Sequence, residues 1–382
     1  VHLLLVNRYC KAMMLGNSRL GRLGLSCVRV ALGARAPRGC SHAGLCICWN
    51  GSPGRNRDYW KMASSTVEPV ELGKITDRPE LITLDCFGTL IFPSQSIGRW
   101  YREALNERCD THIRLPRPAL FTAAFNKAYK DQCAEHPCFG ATSGMSSRDW
   151  WYRVVDDTYR STGELSNAID ASELIELIPG TFDLLFDEVF ATKKGWLLKD
   201  DALYTLRKLK EWRDMGGGPK LGVISNFDER LTPLLDALGL AEYFDEGMIL
   251  DSYSTGSEKP AAAMFNLAAQ KAGADPSKCY HVGDSVTTDV AGAVGAGWTA
   301  MRVNEWFEKD VPDWNAVDSE EGALGERQSR LQLMHWGRVD KAVGMQWYEL
   351  WGLDDILTLF GVPDDDDKSV VATYVSNQRR YY

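Results

Sequence analysis

Short apolar runs that stop abruptly at polar residues recur along the chain, at 81–84, 220–225, 247–251, 279–282 and 299–303. Each has the length and composition of a buried strand. Segments with apolar residues at helical spacing alternate with them, at 201–214, 231–238, 261–272 and 288–296. Strands that alternate with helices need crossover connections, so the pattern predicts an α/β fold with a doubly wound, parallel, Rossmann-like sheet. One long stretch, 95–195, breaks the alternation with four helical patterns at 95–108, 117–135, 147–161 and 180–190. It predicts a helical cap inserted after the first strand, leaving 79–94 and 196–361 to form the core. Residues 306–349 read as an insertion before a last helix at 353–360, and carry Trp306, Trp314, Trp336 and Trp347. Two readings of those rings stay open, a local wrap against the core and a surface for a protein partner or dimer.

The polar residues that end the runs carry the chemistry. LITLDCFGTL places Asp85 at the exposed end of a strand, followed by a Gly-Thr turn with Thr89. A carboxylate there, ringed by loop amides, can act as a nucleophile. LGVISN ends in Ser225 and Asn226, both able to donate hydrogen bonds to an anion, and Lys259 in SEKP offers a cation before a helix. CYHVGDSVTTD adds Asp284 and, one turn on, Asp289. In an open parallel sheet, ligands sit outside the carboxyl ends of the strands where the strand order reverses. Taken singly, each residue has a plain reading: a loop cap, a solvated lysine, a carboxylate favoured by a helix start. Four complementary groups, each at such an end, point to one site.

Together these segments resemble the haloacid dehalogenase superfamily, whose motifs are a nucleophilic Asp, a Ser/Thr, a Lys and an acidic pair for magnesium. The matching positions are Asp85, Ser225, Lys259, and Asp284 with Asp289. The segments AFNKAYKDQCAEHPCFG, SSRDWWYRVVDDTY and VISNFDERL are similar to the type 3 branch of haloacid dehalogenase-like hydrolase domain-containing proteins, and the likeness spans about residues 79–305 with a weaker stretch at 350–361. The resemblance implies a phosphatase acting on a small phosphorylated metabolite. Asp85 would attack phosphorus, and Ser225 and Lys259 would hold the phosphoryl oxygens, with Thr89 and Asn226 as further substrate contacts. It also implies Mg²⁺ on Asp85, the Phe87 backbone carbonyl and Asp284, with Asp289 supporting these ligands from behind. Hard oxygen ligands suit that ion.

Charge and composition narrow the picture. Residues 1–57 hold nine Lys/Arg and no Asp/Glu, leaving 34 basic against 52 acidic residues in the rest of the chain. So acidic a body argues against nonspecific nucleic-acid binding. The basic segment 1–61 reads either as a mitochondrial or plastid transit peptide or as upstream sequence before a start at Met62, which would place the protein in the cytoplasm. The tail 364–382, with its DDDD run, reads as a flexible end. Five of the ten cysteines fall in the first segment; the others, Cys86, Cys109, Cys133, Cys138 and Cys279, lack metal or disulfide spacing and read as reduced thiols. Nothing approaches the roughly 18 uninterrupted apolar residues of a membrane-spanning helix, so no membrane partner is expected.

One position departs from the phosphatase pattern. Two residues after the nucleophile, where such phosphatases carry an acid-base Asp, stands Phe87. Phenylalanine cannot transfer protons, and losing a general acid-base group removes about 10² to 10⁴ in rate. Dehalogenases of the superfamily place an aromatic residue there and use a cap arginine for halide, for which Arg114 and Arg117 stand at suitable spacing; against that reading, Gly283 and Asp284 are the metal-type motif. Three functions follow as expectations: a Mg²⁺-dependent phosphatase, a binding protein of feeble turnover on the same fold, and a 2-haloacid dehalogenase-type hydrolase.

Overall fold

The computed structural model describes residues 67–71, 75–109, 113–303, 336–340 and 345–362, with 67–71 and 336–340 described as backbone. All lie in one compact unit. The expectations for the segments 1–61 and 364–382 and for Trp306 and Trp314 concern residues outside this set.

The chain opens with β1 (Val67–Glu71), β2 (Leu81–Leu84) and β3 (Ile91–Pro93), then enters helices α1 (Ile97–Asn106), α2 (Pro118–Glu135), α3 (Ser147–Ser161) and α4 (Ala171–Asp183). It returns through β4 (Trp196–Leu198), α5 (Ala202–Asp214), β5 (Lys220–Ser225), α6 (Leu231–Ala237), β6 (Ile249–Asp251), α7 (Ser252–Thr255) and α8 (Ala262–Ala272). It closes with β7 (Cys279–Gly283), α9 (Ala291–Gly295), β8 (Thr299–Val303), β9 (Trp336–Asp340), β10 (Met345–Leu350) and α10 (Asp355–Leu359).

The sheet has the order β1-β9-β10-β8-β7-β2-β5-β6. Six strands, β10-β8-β7-β2-β5-β6, run parallel, as expected of a doubly wound fold. From β2 the chain builds outward through β5 and β6 on one side and through β7, β8 and β10 on the other. The crevice where the order reverses therefore lies at β2. Side chains alternate across the sheet: Ile82, Leu84, Leu221 and Val223 pack on one face with α5, α6 and α10. Leu81 and Ile224 pack on the other with α8 and α9.

Two expectations need correction. The stretch 306–349 is not wholly an insertion, because β10 pairs in parallel with β8, Tyr348 opposite Met301, and is a strand of the sheet. β9 and β1 then add an antiparallel ribbon beyond it. QWYEL shows no period of two because both faces are covered: Trp347 packs on one face at 2% exposure, in keeping with the wrap reading for that ring, and Tyr348 on the other at 9%. The helix expected at 180–190 instead begins at Ala171 and runs through Pro179, ending in a π-type turn at Leu184–Val189. Proline interrupts the sequence pattern, but burial of Ile178 and Phe182 holds the helix together across it.

The helical block between β3 and β4 has its own apolar core, built on Tyr101, Leu105, Phe121, Tyr159, Ile178 and Phe182. Helix α3 starts where Ser146 accepts a hydrogen bond from the Asp149 backbone and donates one to its carboxylate. The block joins the sheet through the short antiparallel ribbon of β3 and β4, with Phe92 opposite Leu197.

Candidate active site

The polar ends of the three central strands converge. The Asp85 backbone N–H donates to the Val282 carbonyl at 2.8 Å, so the nucleophile candidate is pinned to β7. Ser225, at the end of β5, donates its hydroxyl to Asp85 Oδ1 at 2.8 Å. Lys259 Nζ lies 2.7 Å from the same oxygen and 2.5 Å from Asp289 Oδ1. All three charged groups are buried, Asp85 at 7% exposure, Lys259 at 3% and Asp289 at 1%.

Asp289 is the most heavily engaged residue of the group. Its Oδ1 also meets His281 Nε2 at 3.2 Å, and its Oδ2 accepts the Ser285 backbone N–H at 3.0 Å. It is placed by the π-type turn Val286–Val290, an irregularity frequent at functional sites, which here stands where the sequence pattern suggested a plain helix. Burial would raise the Asp289 pKa, but the Lys259 ammonium and the His281 hydrogen bond outweigh it and hold the group ionised below the usual range. Asp85 shifts the other way, raised by burial and by the neighbouring Asp289 charge despite Lys259. Burial works against the ammonium of Lys259, yet the two carboxylates outweigh it and raise its pKa. Two carboxylates thus share one cation, and the better-bonded one keeps its charge more firmly.

Asn226 clips the Lys259 backbone from both sides, accepting its N–H at 2.7 Å and donating to its carbonyl at 3.0 Å. Its amide therefore positions Lys259. Thr89 is fully buried, and its hydroxyl has no hydrogen-bond partner among the described residues. Gly88 adopts φ +83°, and a Cβ there would stand 2.7 Å from Asp284 Oδ2, so the turn after Asp85 needs a glycine to admit the second acid. Asp85, Asp284 and Asp289 each present an oxygen within 4.8 Å of the others. Phe87, half-buried, sets its ring edge-on to Trp196 at 6.0 Å. Arg114 and Arg117 are both exposed.

His281 was not singled out from the sequence. It lies under Asp289 and bonds Thr83 Oγ1 through Nδ1 at 2.8 Å; burial lowers its pKa, which favours a neutral ring. A lone histidine inside the apolar run CYHVG was the signal available. Asp228, within VISNFDERL, is left open by the sequence as a stand-in for the acid absent at Phe87; it is 1% exposed and bonded to Arg230, which carried no signal of its own.

A buried carboxylate contacted by a hydroxyl and a lysine, beside a paired acidic cluster at the switch point of a parallel sheet, is the arrangement a hydrolase-type centre would use. The chain belongs to the haloacid dehalogenase-like hydrolases, whose family model matches residues 79–297. Haloacid dehalogenase-like hydrolase domain-containing protein 3 of Mus musculus is 32% identical over 223 residues, 58% of this chain and 81% of its own length. The rhythmically expressed gene 2 protein of Drosophila melanogaster is 31% identical over 237 residues, 60% of this chain and 84% of its own. A solved 2-haloacid dehalogenase from Pseudomonas syringae is 21% identical, covering 74% of this chain and 98% of that one with a TM-score of 0.44.

Proposed function

We propose that the chain is a Mg²⁺-dependent phosphatase of a small phosphorylated metabolite, working through an aspartyl-phosphate on Asp85. The observation that carries this reading is the contact of Ser225 and Lys259 with one oxygen of Asp85, which puts two anion-binding groups at the nucleophile itself. Asp85 Oδ attacks phosphorus as the bond to the leaving oxygen breaks; that oxygen departs with the bonding pair and takes a proton from solvent, since Phe87 cannot supply one. Ser225 and Lys259 hold the phosphoryl oxygens as charge builds on them. Water then attacks the same phosphorus and the P–O bond to Asp85 breaks, restoring the carboxylate and releasing phosphate, while the proton the water gives up passes to solvent. Asp289, tied to His281 and the Ser285 amide, keeps Lys259 aimed at the reacting group.

The donor set fits magnesium, since Asp85 and Asp284 offer hard oxygens at close quarters and Gly88 leaves room for them. Asp85, Asp284 and the Phe87 carbonyl would hold the ion, which when bound neutralises charge developing on the phosphoryl oxygens. Asp289, with both oxygens engaged, acts from behind that shell.

Phe87 against Trp196 favours a second reading, C–halogen hydrolysis, because a halide leaves without needing a proton. One assay separates the two. Purified protein tested against phosphate esters and 2-haloacids, with Mg²⁺ and with chelator, is expected to release phosphate in a Mg²⁺-dependent way, and Asp85→Asn to abolish it without loss of fold. Halide release that persists in chelator would replace the phosphatase reading; turnover unchanged in Asp85→Asn would remove Asp85 as nucleophile.

A further inference from the structure

Three consecutive residues between β5 and α6 each grip the helical block. Asp228 Oδ2 accepts the Trp151 indole N–H, in α3, at 2.7 Å. Glu229 Oε1 accepts the hydroxyl of Ser147, the first residue of α3, at 2.5 Å. Arg230 Nη1 donates to the Phe186 carbonyl, in the π-type turn that follows α4, at 3.0 Å. The guanidinium stands 3.7 Å from the centroid of the Phe186 ring and 5.7 Å from that of Trp151. Arg230 also binds Asp228 through both carboxylate oxygens, at 2.8 and 2.7 Å. Asp228 is 1% exposed, so its charge is committed to this arrangement and is not a free acid facing the site.

The turn that carries these residues begins at Ser225 and Asn226, the residues that hold Asp85 and the Lys259 backbone. We infer that Asp228, Glu229 and Arg230 form a latch that sets the helical block over the crevice and ties its position to the phosphoryl-binding loop, with Arg230 and Trp151 as positioning residues. A planar fork that binds a carboxylate with two nitrogens and a carbonyl with the third fixes orientation in a way a lysine cannot. A block so held excludes water from the crevice and meets the leaving group in one register.

The inference goes beyond the phosphatase reading; only its kinetic arm rests on that reading. Trp151→Phe removes the N–H and keeps an aromatic ring in place. Arg230→Lys keeps the charge and loses the fork. In hydrogen exchange of the full chain, both are expected to speed exchange of residues 147–161 and 184–190 about tenfold, with strands 81–84 and 220–225 unchanged. Uniform acceleration of block and sheet, or none in the block, overturns the latch whatever the reaction is. With a phosphate ester, the variants are expected to raise KM about 3- to 10-fold with a smaller change in kcat, and Arg230→Lys to retain more activity than Arg230→Ala. A loss confined to kcat, or equal loss in the lysine and alanine variants, counts against it.

Discussion

At the scale of single residues, the division of labour between Asp284 and Asp289 is the sharpest feature of the site. Asp289 has its oxygens taken by Lys259, His281 and the Ser285 amide, whereas Asp284 faces the Gly88 turn. Asp284→Ala is therefore expected to weaken Mg²⁺ binding far more than Asp289→Ala, as titration calorimetry would measure. Asp289→Ala is expected to be the costlier for stability, by about 3 kcal/mol, because it strips a buried cation of one partner. Equal losses of Mg²⁺ affinity would mean that both carboxylates ligate. Phe87→Asp puts a proton-transfer group two residues from Asp85 and, on the phosphatase reading, is expected to raise turnover of alkyl phosphates by up to about 10². Removing the ring from its contact with Trp196 costs about 3 kcal/mol, so unfolding must be followed beside the rates. A folded variant that gains nothing on alkyl phosphates speaks against the phosphatase reading. Asp85, Ser225 and Asp284 were legible because each interrupts an apolar run at its end. His281 was not, since a polar residue inside a run looks like a core exception, and the Trp151–Asp228 bond joins residues 77 apart with no local trace.

At the scale of elements, helix periodicity was legible wherever one face is buried: α3 was expected at 147–161 and spans Ser147–Ser161. It failed where tertiary packing overrides local signals, as at Pro179, and the strand β10 went unread because both its faces are covered, which leaves no period of two. The cap helices α1 and α2 cross closely at Gly98, where a Cβ would collide with the Pro118 carbonyl and Thr122. Gly98→Ala is thus expected to destabilise the protein by about 1–3 kcal/mol in denaturant unfolding, despite alanine's better helix propensity. A stabilised variant would mean that the two helices separate freely.

At the scale of the whole molecule, β10 and α10 belong to the main core. Leu350, Leu353 and Ile356 are 0–1% exposed within the cluster that also holds Ile82 and Val223. A chain ended at residue 335 is expected to lose its cooperative thermal transition, as calorimetry would record; an unchanged transition would make β10 and α10 dispensable. The alternation of strands and helices foretold the parallel sheet, but not the ribbon of β1 and β9, whose pairing joins distant parts of the chain. The central position of β2 has a consequence for how the protein is made. Asp85 meets Ser225 across 140 residues, and Thr83 meets His281 across 198. Contacts so distant in sequence are slow to form, while the helical block depends on closer ones. During synthesis the strand that bears Asp85 must therefore wait, with both edges bare, until the residues of β5 and then β7 have left the ribosome. Helices α1 to α4 can gather in the meantime, so the helical block can be in place before the candidate site it adjoins is assembled.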